Sequence, residues 1–448
     1  MTTNTPTVTA RLSDQAIHPL RTLDPAEPLD DLAWLDEAIG DARVVAIGES
    51  AHYNSEYYRL RHRLLRYLVQ RHGFGAYAME SGFTEGWTTD SWVRGTAPAA
   101  DLDQVMAGGV TSLMGLWTEM RTHLAWMRDH NSTGSPQVGF YGIDLPGSNA
   151  SLLPGLDAVL GYLAQADPGF EVDPEIREAA AIFAASSPFS VPAAMSAYAN
   201  LTPEQRNSQT ANLADLTARL TARRLDYVAR TGVESYERTL RTMRLTATLD
   251  MMIRQLPQGN QRDVMLNRDA AMADTVEWIL QRADRVLLAA HNGHIQRHPT
   301  TLPGMPPTAT LGMHLADRLG GDYVVIGTTA GTGRTLNTDP SEFYAGKLFQ
   351  DLPAPEPGSL DALMVATSDG PFAADLRHLS PADSAAVEAC TRHRIGAYYA
   401  DLDALNAFDV VVHIPHVTAA EPDRAALTHT PQDVQETFAA YRATSSAD

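Results

Sequence analysis

The sequence contains one cysteine, Cys390, among 448 residues. A lone thiol cannot form an intrachain disulfide, and it excludes metal sites built from several thiolates. The chain also lacks any run of about 18 apolar residues, the length that spans a bilayer. The residues after Met1 have neither the basic start nor the apolar core of a signal peptide. These absences predict a cytoplasmic protein without membrane segments.

Basic residues are scarce relative to acidic ones. The chain has 34 Lys and Arg residues against 54 Asp and Glu residues, a formal net charge of −20. Such a surface repels phosphate backbones and anionic lipids, so we expect neither nucleic acid nor membrane as a partner. Hydrophobic residues make up 44% of the chain, which suffices for a sizeable core.

Several familiar catalytic motifs are missing. The GxSxG elbow of α/β-hydrolases, the GxxxxGK[ST] phosphate loop and the HExxH zinc motif do not occur. The AGTGR segment at 330–334 follows an apolar run without completing GxGxxG, and we interpret it as a glycine-rich turn. Ser50 and Ser81 stand beside acidic residues, but no motif supports either as a nucleophile.

Short runs of Val, Ile, Leu and Ala predict buried strands of a parallel sheet. Apolar periodicity over 55–71 predicts a helix between the first two of these strands, which gives a βαβ unit. The sequence therefore predicts an α/β fold, with a mostly parallel central sheet flanked by helices. The predicted strands that matter below are 43–47, 75–79, 138–143, 285–290 and 323–328.

The predicted domain organisation has three parts. Residues 1–150 form the first half of the α/β core. Residues 151–258 contain no convincing strand and many prolines, and we predict an all-helical insertion that forms a cap over the cleft. Residues 259–448 form the second half of the core, with a C-terminal helix and a disordered tail.

Ionisable side chains follow four of the predicted strands. Ligands of open α/β sheets bind beyond the carboxyl ends of the strands, so we expect these side chains to share one cleft. They are Glu49 with His52, Glu80, Asp144, and His291 with His294.

The residue types in this set indicate acid–base chemistry. His52 can act as a general base beside a carboxylate from Glu49, Glu80 or Asp144. Arg61, on the helix that follows, could pair with a buried carboxylate.

The other two histidines leave two chemistries open. Asn292 and Gly293 between them indicate a turn, and two imidazoles so close could bind a metal together with an acidic side chain. They could equally orient a substrate or stabilise an oxyanion.

A set of ordered blocks resembles the erythromycin esterase family. The blocks are GESAH, HGFGAYAMES, FYGIDLPG, NRDAAMADTVEW, HNGHI and LGMHLADRLGGDYVVIGTTAGTG, between about residues 40 and 335. The resemblance implies an α/β core with helical additions around a deep cleft. It also implies hydrolysis of a lactone ester by a histidine that activates water, without a metal or other cofactor.

Carried over onto this chain, the resemblance assigns a general base to GESAH and a second carboxylate to AMES. It gives the HNGHI histidines substrate binding and charge stabilisation. The predicted catalytic residues are His52, Glu49, Glu80 and His291, and the predicted substrate-binding residues are Arg61, His294, Asp144 and Tyr53.

This chain departs from the family at the first block. Family members often read GEATHG where this chain reads GESAHYN. Tyr53 and Asn54 thus replace a small residue and a hydroxyl beside the base, which reshapes the predicted pocket.

The sequence therefore predicts a hydrolase acting on a lactone or ester of a hydrophobic natural product. Two alternatives use the same residues. The acid–base site could catalyse a cyclisation, dehydration or acyl transfer in natural-product biosynthesis, or the groups could bind a metal or small molecule without catalysis.

Overall fold

The structure is a computed structural model, and it describes residues 10–97, 100–133, 136–301 and 304–445. The predicted disordered tail falls on 446–448, outside the described residues. The strands are β1 (His18–Pro19), β2 (Val44–Ile47), β3 (Ala76–Gly82), β4 (Gly139–Asp144), β5 (Val286–Ala289), β6 (Tyr323–Leu336), β7 (Phe349–Leu352), β8 (Phe372–Asp375), β9 (Arg392–Ile395), β10 (Tyr398–Asp401) and β11 (Val410–Val417).

Helices connect these strands and fill the stretch between β4 and β5. They are α1 (Leu35–Ile39), α2 (Ser55–His72), α3 (Gly86–Val93), α4 (Leu102–Gly109), α5 (Thr118–Thr133), α6 (Leu153–Ala166), α7 (Glu175–Ile182), α8 (Val191–Ala199), α9 (Pro203–Ala222), α10 (Arg224–Thr231), α11 (Val233–Gln255), α12 (Gln261–Leu280), α13 (Asn292–Ile295), α14 (Leu311–Leu319), α15 (Pro340–Tyr344), α16 (Leu360–Thr367), α17 (Pro381–Glu388), α18 (Ala404–Ala407), α19 (Arg424–Leu427) and α20 (Gln432–Ser445). None of the described helices is long and apolar enough to cross a membrane.

The chain divides into two compact units. The first joins the residues up to Phe74 with Asp284–Glu421, and the second joins Gly75–Ala283 with the residues from Pro422 onward. Both units are assembled from segments distant in sequence.

The first unit contains a mixed sheet in the order β1-β8-β11-β6-β2-β5, with β7 added to β6. The central strands β11, β6, β2 and β5 run parallel, whereas β8, β1 and β7 pair antiparallel. Every residue of β2 and β5 is 0% exposed. Strands covered on both faces need no polar alternation, which explains their uniformly apolar sequences.

One predicted turn in this unit is wrong. The AGTGR segment does not leave the sheet but continues β6 as far as Leu336. A Cβ at Gly331 would lie 2.1 Å from Pro415 O, and one at Gly333 would lie 1.9 Å from Val417 O. These two glycines therefore permit close approach of β11, and glycine in a strand signals such an approach as well as a turn.

The second unit contains the parallel pair β3 and β4, in which Met79 lies opposite Gly142. From α6 to α11 its regular structure is helical, as the lack of a convincing strand in that region predicts. The predicted class, α/β with mostly parallel strands flanked by helices, is confirmed. That the helical stretch caps the cleft stays a prediction.

Candidate active site

Backbone hydrogen bonds join the ends of β2 and β5 in the first unit. The Glu49 N–H donates to Ala290 O at 3.2 Å, and the Asn292 N–H donates to Glu49 O at 2.8 Å. Gly48 faces Asn292 so closely that a Cβ would lie 1.9 Å from the amide oxygen. The GES and HNG segments, about 240 residues apart in sequence, are thus in direct contact.

Glu49 is the centre of this first cluster and is 0% exposed. Its Oε1 lies 2.7 Å from His52 Nδ1, and its Oε2 lies 3.0 Å from Arg61 Nη2. Burial alone would raise the pKa of the Glu49 carboxyl, but the charge of Arg61 and the hydrogen bond from His52 lower it below its usual value. Glu49 is therefore a carboxylate at neutral pH.

Arg61 is 1% exposed, and it also points a guanidinium nitrogen at Ala290 O, 3.4 Å away. The helix spacing indicated a pairing with a buried carboxylate, and that carboxylate is Glu49. The Arg61 guanidinium therefore holds Glu49. That Arg61 also binds substrate stays a prediction.

His52 is followed by a strained residue. Tyr53 has φ +64° in the left-handed region, which costs a non-glycine residue about 1 kcal/mol. Its carbonyl accepts from the Ala420 N–H at 2.9 Å, and the Asn54 amide donates to Thr418 O at 3.0 Å. These bonds hold the strained turn, and the Tyr53 ring lies 5.7 Å from the His52 ring, centroid to centroid.

His291 completes the first cluster. Its ring centroid lies 5.1 Å from that of His52. The Gly293 N–H donates to His291 Nδ1 at 3.1 Å, which leaves the proton of the neutral ring on Nε2. That Nε2 lies 3.2 Å from Ser50 O, within reach as its donor.

The short helix α13 corrects a second prediction. Asn292 and Gly293 form a helical turn, because the His291 side chain caps its N-terminus. His294 lies in that turn and is 8% exposed.

The hydroxyl groups of Ser50 and Ser81 have partners in the structure. Ser50 Oγ lies 2.5 Å from the hydroxyl of Tyr57, a buried residue of α2 that the sequence reasoning missed. Burial raises the pKa of Tyr57 above its usual range. Ser81 Oγ accepts from the Thr111 N–H at 2.8 Å. Neither environment adds support for a serine nucleophile.

A second cluster lies in the second unit, at the ends of β3 and β4. Arg268 Nη2 donates to Glu80 Oε1 at 3.0 Å and to Asp144 Oδ2 at 2.7 Å, and Arg268 Nε donates to Asp144 Oδ1 at 3.0 Å. Burial disfavours the Arg268 charge, but Asp144 and Glu80 outweigh it and raise the arginine pKa above its usual value. One guanidinium thus holds both predicted carboxylates.

Arg268 stands in the block NRDAAMADTVEW but was not predicted as a site residue. Two carboxylates at adjacent strand ends need a cation when buried, and this requirement is the signal that could have found it. That all four strand ends share one cleft stays a prediction, since the structure describes one cluster in each unit.

Glu85, five residues after Glu80, has a strongly perturbed carboxyl group. Burial is the largest cause, and it raises the pKa of Glu85 to about 7 even though the Gly147 N–H donates to its Oε1. Its Oε2 atom is buried and has no hydrogen-bond partner in the part of the chain that the structure describes. This residue was also missed, since nothing in the local sequence marks its burial.

The metal-binding alternative finds no matching ligand geometry among these groups. Within the described residues, three candidate ligand atoms come within 4.8 Å of one another at one place, in Asp101, Asp103 and His429. None belongs to the predicted site, and Asp103 is already paired with Arg121. The first cluster is instead a hydrogen-bonded chain suited to proton transfer.

Comparison with known proteins agrees with the resemblance. The family model described as erythromycin esterase matches residues 69–417. The chain is 30% identical to erythromycin esterase type II of Escherichia coli over 329 residues, 72% of this chain and 77% of that protein. It is 26% identical to erythromycin esterase type I of Escherichia coli over 311 residues, 67% of this chain and 73% of that protein.

Solved structures share the fold. A mutant of the erythromycin esterase EreC in its open conformation aligns with a TM-score of 0.73 at 19% identity, over 91% of this chain and 99% of that one. A succinoglycan biosynthesis protein aligns with a TM-score of 0.72 at 22% identity, over 91% of this chain and 96% of that one. Family model, sequence relatives and fold agree: the chain belongs to the erythromycin esterase family of ester-hydrolysing enzymes.

Proposed function

We propose that this protein hydrolyses a lactone or ester bond in a hydrophobic natural product, with His52 as the general base and without a metal. The observation that carries the proposal is the chain of contacts from Arg61 through Glu49 to His52. A buried, ionised carboxylate on one ring nitrogen is the arrangement that prepares a histidine to accept a proton. Family membership supports the ester as the bond that is broken.

The first step uses the tautomer that Glu49 selects. Glu49 accepts the Nδ1–H of His52, so the lone pair that accepts a proton is on Nε2. As Nε2 takes a proton from water, the water oxygen bonds to the carbonyl carbon and the carbonyl π electrons move to its oxygen. The resulting imidazolium is stabilised by the Glu49 carboxylate.

The second step returns the proton. The C–O bond to the leaving group breaks, the carbonyl re-forms, and the His52 imidazolium protonates the departing alkoxide. The products are a carboxylic acid and an alcohol, and together they contain one added water. No oxidant, metal or covalent enzyme intermediate is required.

His291 is the proposed electrophile. Because its Nδ1 accepts from Gly293, its Nε2 carries the proton and can donate. The ring lies beside His52, so re-aiming that N–H from Ser50 O to the substrate would stabilise the oxyanion. We assign Arg61 to holding Glu49, and His294 and Tyr53 to the substrate-binding surface around His52.

Glu80 is proposed as the second catalytic carboxylate and Asp144 as a substrate contact. Both are supported by their position at strand ends and by their shared partner Arg268. Arg268 is proposed to fix the orientation of both carboxylates.

The test compares His52→Ala with His18→Ala, a control at an exposed histidine on β1. The substrates are erythromycin, named for the relatives, and a panel of other macrolactones and hydrophobic esters. We expect wild-type products whose combined mass exceeds that of the substrate by one water, in a single molecule where the substrate is a lactone. We also expect a loss of about 10²- to 10⁴-fold in kcat for His52→Ala and no loss for His18→Ala. Wild-type turnover by folded His52→Ala would refute the proposed base.

Product mass also separates the tailoring reactions. A cyclisation conserves the substrate mass, a dehydration removes one water, and an acyl transfer adds the mass of the acyl group. Any of these outcomes, with His52 still required, would replace hydrolysis while retaining the site.

A further inference from the structure

A cavity of about 260 Å³ lies among helices α7, α8, α9 and α11 in the second unit. It contains none of the residues of the two clusters described above. Three of its lining side chains are buried and polar: Tyr198, Gln209 and Asp250. Buried polar groups are ordinarily hydrogen-bonded, so any such group in the cavity wall that lacks a hydrogen-bond partner needs a physical explanation.

Asp250 is the charged member of this wall and is 2% exposed. Its Oδ2 accepts from Thr210 Oγ1 at 2.6 Å. No ion pair within 4 Å joins it to a Lys, Arg or His of the described residues. Burial raises the pKa of the Asp250 carboxyl, and the charge of Arg254, which donates to the same Thr210 hydroxyl, offsets only part of this. A carboxylate that deep without a direct ion pair is costly, and a ligand cation in contact with it would lower the cost.

Tyr198 and Gln209 are the neutral members, at 5% and 6% exposed. Among the described residues, neither the Tyr198 hydroxyl nor either amide atom of Gln209 has a hydrogen-bond partner. Together they provide one hydroxyl, one amide donor and one amide acceptor beside the cavity. A ligand with its own hydroxyl or amide group would satisfy them.

Aromatic rings and acidic side chains around the cavity also favour a cationic ligand. Phe183 and Tyr198 meet edge to face with centroids 5.6 Å apart. Glu175 and Glu178 line the cavity at exposed positions, and among the described lining residues Arg206 is the basic one. Its guanidinium carbon lies 5.7 Å from the Tyr198 ring centroid, so this ring already faces one cation.

We propose that this cavity binds a small organic cation, an alkylated ammonium that also carries a hydroxyl or amide group. The cation pairs with Asp250, its alkyl groups pack against Tyr198 and Phe183, and its polar group bonds to Gln209. An anion would meet three carboxylates, and a neutral molecule would leave Asp250 without a direct ion pair. The volume is below the range of about 300–1000 Å³ typical of drug-sized ligands, so the cation is compact.

Choline is the probe, because it has a quaternary ammonium and one hydroxyl. Its matched control is 3,3-dimethyl-1-butanol, which has the same shape with carbon in place of the charged nitrogen. Calorimetric titration of the full-length protein should give saturable choline binding and at least tenfold weaker binding of the alcohol. Equal affinities, or no saturable choline binding up to about 50 mM, well above the millimolar range of weak specific sites, would overturn the proposal.

Variants locate the binding to the cavity. Asp250→Asn keeps the acceptor for Thr210 and removes the charge, and Asp215→Asn removes an exposed carboxylate elsewhere on α9. We expect choline to bind roughly tenfold or more weakly to Asp250→Asn and unchanged to Asp215→Asn. Tyr198→Leu, which retains the charge and removes the ring, should weaken choline severalfold.

The second variant keeps the test decisive if Asp250→Asn does not fold. Wild-type choline affinity in either folded cavity variant contradicts the assignment. Equal weakening by Asp215→Asn does so too, because it would attribute the binding to general surface charge.

Discussion

The ion pair between Arg61 and Glu49 gives the most exacting test of the site. Arg61→Met keeps most of the side-chain volume and removes the positive charge 3.0 Å from Glu49 Oε2. Because Glu49 is 0% exposed, the carboxylate would then be buried with His52 as its hydrogen-bond partner and without the arginine charge. Breaking a buried pair from one side costs about 3–5 kcal/mol.

The double variant Arg61→Met/Glu49→Gln separates the pair from simple packing loss. Once the carboxylate is neutral, losing the arginine no longer leaves an uncompensated charge. We therefore expect the double variant to be more stable than the sum of the single effects by about 2–3 kcal/mol. Arg59→Met, at an exposed position of the same helix, is the control and should cost less than about 0.5 kcal/mol.

The pH dependence of Arg61→Met has a definite sign. In the wild type the lowered pKa of Glu49 contributes stability at pH above the unfolded value of about 4.5, and this is lost as the pH falls through the folded pKa. Without Arg61 the largest cause that lowers the pKa of Glu49 is lost, so the pKa rises and this contribution to stability shrinks. The variant should therefore be more destabilised at pH 7 than at pH 4.

Urea unfolding followed by fluorescence at both pH values provides the free energies, and scanning calorimetry should give a Tm lower by about 3–5 °C at pH 7. Strictly additive single effects, or a loss below about 1 kcal/mol for Arg61→Met, would refute the charge argument.

Four other measurements test separate parts of the structure. Glu85→Gln should become more stable relative to wild type as the pH rises from 5 to 8, by up to about 3 kcal/mol. The reason is that the Glu85 carboxyl ionises above pH 4.5 in the unfolded chain but only near pH 7 in the folded protein, so rising pH favours unfolding of the wild type. An equal Tm difference between variant and wild type at both pH values would contradict this. Burial lowers the pKa values of His393 and His413 to about 3, whereas in the unfolded chain each is about 6.5. At pH 5.5 each histidine is therefore protonated when unfolded and neutral when folded, which lowers the free energy of unfolding by about 1.4 kcal/mol for each. Urea titrations at pH 7.5 and 5.5 should show a smaller acid loss in His413→Gln than in wild type. Gly48→Ala should lower the free energy of unfolding by more than about 2 kcal/mol, since its Cβ would lie 1.9 Å from the Asn292 amide oxygen. The control Gly161→Ala, in helix α6 with no atom within 4 Å of its Cβ, should raise the free energy of unfolding by about 0.5–1 kcal/mol. Tyr57→Phe removes the partner of Ser50 Oγ and should cost about 1 kcal/mol in urea unfolding.

Much of the fold could be predicted because its signals are local. The apolar runs of β2 and β5 and the periodicity of α2 are properties of neighbouring residues, and the structure has all three elements at those places. Parallel strands present their carboxyl ends at one edge, so the proximity of the Glu49 and His291 segments also followed from the pattern.

Other features could not be predicted, because they depend on groups far apart in sequence. The continuation of β6 through Gly331 and Gly333 depends on where β11 passes. Arg268 becomes a site residue because α12 brings it to Glu80 and Asp144, 188 and 124 residues away.

By itself, then, the sequence determined the α/β class and the family, because both are encoded in contiguous residues, and it predicted the acid–base groups. Only the tertiary structure decided which of these side chains are paired. It set Arg61 against Glu49, assigned the Nε2 proton to His291 through Gly293, and buried Asp250 without a direct ion pair among the described residues. Burial and partner distance determine pKa, tautomer and ion pairing, and neither quantity is a property of a segment before the chain is folded.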